Sequence, residues 1–203
     1  MLEGLLARLG EFVVELISGL GYGGVFIAMA IESACIPLPS EIILPFTGYM
    51  VSQGYFEFWP ATIAATSGNL FGGVVAYYVG VIGGRPFVKR YGHYFLISEK
   101  ELLWTERLFQ RYGELTVFIG RMLPVVRTFI SLPAGIAKMN VIKMSLYTVL
   151  GALPWCILFI KLGEKLGENW QSLKPLFHRL DIFIGVLILF GLAVFLWNKF
   201  KKK

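Results

Sequence analysis

Between Leu16 and Phe56, forty-one residues carry only two charges, Glu32 and Glu41, and these flank a proline pair in ESACIPLPSE at 32–41. On an uninterrupted helix, nine residues at about 100° each would set the second carboxylate about 180° from the first. Pro37 and Pro39 each remove a backbone donor and push the residue before them out of the helical region, so the helix is expected to break between the acids. A break lets Glu32 and Glu41, with Ser40 beside the latter, face one point. A broken helix tipped with acids survives inside a membrane only where protein or water covers the freed backbone, which describes a re-entrant hairpin. The alternative is a pair of crossings whose charged turn sits at the lipid surface, because two helical crossings need about 40 residues.

Composition decides the solvent. With 56% hydrophobic and 16% charged residues over 203 positions, the chain does not suit a soluble globule and is expected to be an all-α integral membrane protein. Seventeen Phe, nine Tyr and five Trp fit a lipid-facing surface with interfacial aromatics, and 23 Gly fit closely packed membrane helices. The net charge of +6 then points to lipid headgroups, with no nucleic acid as partner. The N-terminal MLEGLLARLGEFVVEL has acids where a secretory signal needs basic residues, and is expected to be retained. Cys35 and Cys156 lie in apolar surroundings at no metal-ligand spacing, and His93 and His178 stand alone, so neither a metal site nor a cofactor is expected. No Ser/His/Asp set or Gly-rich phosphate loop supports an enzyme.

Taken in order, residues 1–15 read as an amphipathic helix at the interface and 16–56 as the first hairpin. Residues 59–84, twenty-six positions without a charge, read as a spanning helix whose polar groups include Asn69 and Tyr77. Residues 85–114 form a polar, basic loop in which SEKE at 98–101 resembles a capping box. Residues 115–137 are apolar except for Arg121 and Arg127 in FIGRMLPVVRTFISLP; six residues apart, the two diverge by about 240° on a helix unless Pro124 breaks it. Residues 144–160 and 182–198 are two further charge-free runs able to span, and NKFKKK closes the chain as a basic anchor.

If 16–56 and 115–137 each enter and leave on one side while 59–84, 144–160 and 182–198 cross, twelve Lys/Arg fall on one face and five on the other. The richer side, which holds 85–114 and the C-terminus, is then cytoplasmic. A single crossing at 115–137 would place the six basic residues of 85–114 on the side opposite the basic C-terminus, so that the two favour different sides. The consistent assignment is a multi-pass protein with two re-entrant helical hairpins, one acidic and one basic, related as an inverted repeat with spanning helices between. Short echoes, VFI at 25–27 and 117–119 and LPFTG at 44–48 against LPAGI at 132–136, accompany that pattern.

At ESACIPLPSE, SGNLFGGVVAYYVG and FIGRMLPVVRTFISLPAG the chain resembles the DedA family of bacterial membrane proteins, relatives of the eukaryotic VTT-domain scramblase-like proteins, over roughly residues 20–165. The resemblance implies a flippase of the bacterial cytoplasmic membrane that carries a phosphorylated lipid. Undecaprenyl phosphate is the expected substrate and phosphatidylethanolamine the alternative, with protons or sodium ions as coupling ion; a homo-oligomer is compatible with it. The family's paired acids fall on Glu32 and Glu41 and its paired arginines on Arg121 and Arg127. Where some members carry Gly-Asp, this chain has Ser40–Glu41, which keeps the charge on a longer side chain.

Side-chain chemistry agrees with that implication. Arginines offer a lipid phosphate bidentate, permanently charged donors, and glutamates offset the cost of burying them. A buried carboxylate displaced from arginine by phosphate is a natural proton acceptor, since desolvation disfavours its charged form. Three other readings stay open: a static Glu/Arg clamp, an intramembrane lipid phosphatase with Ser40 or Ser131 as nucleophile, and a non-transporting scaffold.

Overall fold

The structure is a computed structural model that describes residues 2–36, 38–91, 109, 112–113, 115–123 and 126–167. Among them every regular element is a helix: α1 (Leu2–Leu20), α2 (Tyr22–Ser33), α3 (Ser40–Ser52), α4 (Phe58–Tyr91), α5 (Leu115–Met122), α6 (Val126–Phe129), α7 (Ser131–Ile136) and α8 (Val141–Leu166). Two of these contain segments long and apolar enough to cross a membrane, Phe58–Gly83 and Val141–Leu166, each of 26 residues. At 1.5 Å per residue such a segment reaches about 39 Å, more than a hydrocarbon core of about 30 Å.

Local chemistry explains the boundaries. α8 starts where the Asn140 side chain accepts hydrogen bonds from the backbone N–H groups of Ile142 (3.0 Å) and Lys143 (3.2 Å). α4 carries Pro60 in its first turn, where a missing N–H costs nothing. Gly21, at φ +59°, separates α1 from α2. The acidic segment does break between its glutamates: α2 ends at Ser33, Cys35 takes the left-handed region at φ +68°, and Pro39 is the extended residue that opens α3. Glu41 thereby sits in the first turn of α3, where the helix dipole favours a negative charge. The basic segment is likewise divided, into α5, α6 and α7. Pro37 and Pro124 lie outside the described residues.

Small residues set the packing. α2 lies on the first half of α4, where a Cβ at Gly68 or Gly72 would run into the carbonyl oxygen of Phe26 or Ala30. α7 lies on the second half of α4, with Gly80 against the Leu132 carbonyl and Gly135 against that of Tyr77. α3 and α5 pack on α8, Gly48 meeting the Ile160 carbonyl and Gly151 facing the stem of Arg121. Of the two broken segments, each long helix thus packs mainly on one helix from the acidic segment and one from the basic segment. Two apolar clusters result. One gathers Val13, Ile17, Met29, Ile43, Leu44, Ala65, Cys156 and Ile160; the other gathers Tyr77, Val117, Ile130, Ala134 and Met144. Along both α4 and α8, the polar residues of the next section fall in sequence between these clusters.

The helices run past the apolar stretches that mark them in the sequence. α1 reaches Leu20 rather than residue 15, α4 continues to Tyr91 through seven residues expected in the polar loop, and α8 covers 141–166 rather than 144–160. Charge marks where hydrocarbon ends, not where backbone hydrogen bonding ends. Lys161 and Glu164, paired at 2.8 Å on the last turns of α8, are charges that a helix carries at its solvated end. The run at 182–198, the SEKE motif, His93 and His178 lie outside the described residues.

Candidate functional site

Arg121 and Arg127 are almost fully enclosed, at 1% and 3% exposure, and so is Glu32, at 2%. Helix breaks bring them together. Arg121 ends α5, Arg127 lies in the single turn of α6, and Glu32 and Ser33 end α2. Both guanidinium groups reach adjacent residues of α2: Arg127 Nη2 pairs with Glu32 Oε1 at 3.4 Å, and Arg121 Nη1 donates to Ser33 Oγ at 3.0 Å. The connection is doubled, because Thr128 Oγ1 donates to the same Glu32 oxygen at 3.0 Å.

The two arginines are held differently. Arg121 sits among neutral acceptors: Nη1 donates to Ser33 Oγ and to Asn69 Oδ1, and Nη2 donates to Ser131 Oγ at 2.7 Å. Gly73 and Gly151 make the space; a Cβ at Gly73 would lie 2.5 Å from Arg121 Nη2 and 3.1 Å from Ser131 Oγ. Arg127 instead has a carboxylate on one side and the Trp155 ring on another, its central carbon 4.8 Å from the ring centroid. Hydrogen bonds from a charged donor contribute about 1.5–3 kcal/mol each, which offsets part of the several kcal/mol that burying each ion costs. Among the described residues two positive charges face one carboxylate in contact, and Glu32 Oε2, Arg121 Nε and Arg127 Nε are buried without hydrogen-bond partners.

Not every residue expected at the site joins this cluster. Glu41 is half-buried, accepts a 3.4 Å hydrogen bond from Ser40 Oγ, and makes no ion pair with either arginine among the described residues. Ser40 is buried but turned to its neighbour Glu41. Asn69 contacts Arg121 directly. The Tyr77 hydroxyl donates to the Met139 carbonyl and ties α4 to the turn before α8. Ser33, Gly73, Thr128 and Trp155 were not singled out by sequence, and Ser131, read there only as a nucleophile, is an acceptor for Arg121. Cys35 joins from the break, its thiol donating to the Thr128 carbonyl at 3.5 Å. Among the described residues no group of His, Cys, Asp and Glu is arranged to hold a metal ion.

Asn69 is the twelfth of the 26 residues of Phe58–Gly83, and Gly151 and Trp155 are the eleventh and fifteenth of the 26 in α8. The polar cluster therefore lies at mid-length of both long apolar helices.

Comparison with known proteins supplies the family. The VTT domain model matches residues 38–165. Over 190 residues the chain is 39% identical to "Undecaprenyl phosphate transporter A" of Bacillus subtilis (strain 168), covering 92% of this chain and 94% of that protein. It is 38% identical to "Uncharacterized membrane protein YkoX" of the same organism, covering 94% of this chain and 84% of that one. An "Alkaline phosphatase-like protein" of Lactococcus lactis subsp. cremoris (strain MG1363) is 31% identical, with 95% and 94% covered. No solved structure matches. With more than half of its 203 residues in the domain match and relatives aligned along nearly their whole length, the chain belongs to the VTT-domain family, the DedA membrane proteins.

Proposed function

We propose that this chain is a transporter that moves a phosphorylated lipid, undecaprenyl phosphate first among the candidates, across the bacterial cytoplasmic membrane. One observation carries the proposal: two guanidinium groups are buried at mid-length of the apolar helices against, among the described residues, a single contacting carboxylate. A cluster with surplus positive charge and unpartnered N–H donors is built to accept an anion, and arginine suits phosphate better than lysine does. A relative aligned over 92% of this chain bears the name of an undecaprenyl phosphate transporter, which supports the choice of lipid. Phosphatidylethanolamine shares the phosphate and is the alternative cargo.

In this proposal α2–α3 and α5–α7 are two re-entrant hairpins, opening to opposite sides and meeting near the bilayer midplane. The helix contacts support an inverted repeat. If α2, α3 and α4 correspond to α5, α7 and α8, then the packing of α2 on α4 corresponds to that of α5 on α8, and α3 on α8 to α7 on α4. The basic loop at 85–114 and the C-terminus are assigned to the cytoplasm by the positive-inside rule. Phosphate displaces Glu32 from Arg127, and the freed carboxylate takes a proton, which couples transport to the proton gradient; a sodium ion could serve the same carboxylate. Glu41, half-buried at the start of α3, is assigned to this path as the second carboxylate. Assembly of copies is compatible with this scheme and not needed for it.

Equilibrium binding of undecaprenyl phosphate and of undecaprenol to the purified chain tests the reading. The phosphorylated lipid is expected to bind at least tenfold more tightly, and Arg121→Lys and Arg127→Lys each to erase most of that difference. Equal binding of the two lipids would refute it.

A lipid phosphatase is the second reading, favoured by Ser131 Oγ lying 2.7 Å from Arg121 and by the name of the Lactococcus relative. Its difficulty is a base for Ser131, because Glu32 is engaged with Thr128 and Arg127. Release of inorganic phosphate from undecaprenyl phosphate, abolished by Ser131→Ala, would establish it.

A further inference from the structure

We infer that Trp155 is a further ligand-binding residue of this site: its ring face holds the Arg127 guanidinium, and its indole N–H donates to an oxygen of the phosphate that replaces Glu32. The inference rests on the phosphate-binding reading above and adds to it a residue from α8, outside both broken segments.

Trp155 follows Pro154 inside α8 and is half-buried, yet its Nε1 is enclosed by protein and has no hydrogen-bond partner among the described residues. An indole N–H is a donor only, and a buried one ordinarily finds an acceptor. Two features show what would satisfy it. Arg127 lies over the same ring at 4.8 Å, so Nε1, within about 2.5 Å of the ring centre, is within about 7 Å of the guanidinium carbon. A phosphate accepting hydrogen bonds of about 2.8 Å on two of its oxygens reaches both donors at any separation up to that limit. The second feature is the inventory of unpartnered buried side-chain atoms among the described residues. It comprises three N–H groups, on Arg121, Arg127 and Trp155, against Glu32 Oε2 and the Thr66 hydroxyl one turn before Asn69 on α4. Donors in surplus over the one carboxylate oxygen suit a group with several acceptor oxygens.

The ring face and the N–H have separable duties. The face keeps Arg127 in place whether its partner is Glu32 or phosphate, so the guanidinium does not swing away during the exchange. The N–H is engaged only when the anion is present and acts on affinity alone. Phe159, 4.7 Å from Trp155 between ring centroids, fixes the indole from the next turn of α8.

The test replaces Trp155 in the full chain by benzothienylalanine, which keeps the bicyclic face and exchanges the N–H for sulfur, and in parallel by Phe and by Leu. Affinities for undecaprenyl phosphate and for undecaprenol are measured in nanodiscs. The benzothienylalanine variant is expected to bind undecaprenyl phosphate about tenfold more weakly, with undecaprenol binding and unfolding temperature unchanged; the Phe variant, which also loses one ring, and Trp155→Leu, which loses the whole face, should bind more weakly still. Parent-like affinity in the benzothienylalanine variant, with Arg127→Lys still impaired, would overturn the inference and leave the arginine site standing. Failure of the parent to distinguish the two lipids would remove both.

Discussion

Gly73→Ala is the sharpest perturbation the structure offers, because the added methyl meets the working end of Arg121 and no backbone. The new Cβ would lie 2.5 Å from Nη2, 3.1 Å from Ser131 Oγ and 3.5 Å from Ser33 Oγ. To regain van der Waals separation of about 3.5 Å, the guanidinium must retreat by about 1 Å. The Arg121–Ser131 hydrogen bond, now 2.7 Å, then leaves bonding range unless the serine follows. Losing one hydrogen bond from a buried cation costs about 1.5–3 kcal/mol, while alanine in place of glycine inside a helix returns about 1 kcal/mol. The net loss is about 0.5–2 kcal/mol, a few degrees in unfolding temperature for a chain of this length. The helices should therefore still pack, with the cation displaced. Gly72→Ala, one residue earlier, drives its methyl into the Ala30 carbonyl, which cannot yield, and should cost about 3 kcal/mol or more. Thermal unfolding in detergent and undecaprenyl phosphate binding on the same samples decide the matter. Gly73→Ala should fall modestly in stability and at least tenfold in binding, and Gly72→Ala mainly in stability. Unchanged phosphate binding in a folded Gly73→Ala variant would refute the claim that the seat of Arg121 matters to the site.

Two further outcomes follow from the same geometry. Glu32→Gln keeps acceptors for Thr128 and Arg127 but loses the charge: under proton coupling it should fold and bind phosphate while transport loses its pH dependence, whereas under a static clamp it should unfold about 3–5 kcal/mol more easily, measured by denaturation beside pH-dependent transport. For topology, single cysteines at the exposed Gln53 and Lys138, in a background lacking Cys35 and Cys156, should react oppositely with an impermeant thiol reagent added outside; Gln53 is labelled and Lys138 protected, and outside labelling at Lys138 would overturn the hairpin assignment.

Charge was the legible part of the site. Glu32, Arg121 and Arg127 stand out in apolar surroundings because an unpaired charge there is too costly to be incidental, and the prolines announced that the helix breaks beside them. The neutral half of the site carries no such mark. Ser33, Thr128 and Ser131 are small residues in apolar runs, and only the fold, which brings Ser33 to Arg121 across 88 positions, gives them partners. Asn69 was noticed as one of the few polar groups in a charge-free spanning run; Trp155 was not, since an indole in an apolar run resembles its lipid-facing neighbours. The expected convergence of Glu41 on the arginines shows the limit of angular reasoning. A break frees the second helix to turn but does not say where, and the start of α3 offers Glu41 its own stabilisation in the helix dipole. Helix ends were misjudged for a related reason: residues 85–91 are polar in sequence, yet α4 continues through them.

The most direct measurement is transport itself. Liposomes containing the purified chain, with undecaprenyl phosphate loaded into one leaflet and a proton gradient imposed, should show the lipid reaching the other leaflet at a rate that depends on the gradient and falls sharply in Arg127→Lys. Lipid movement no faster than in protein-free liposomes, from a chain that is folded and binds undecaprenyl phosphate, would contradict the account.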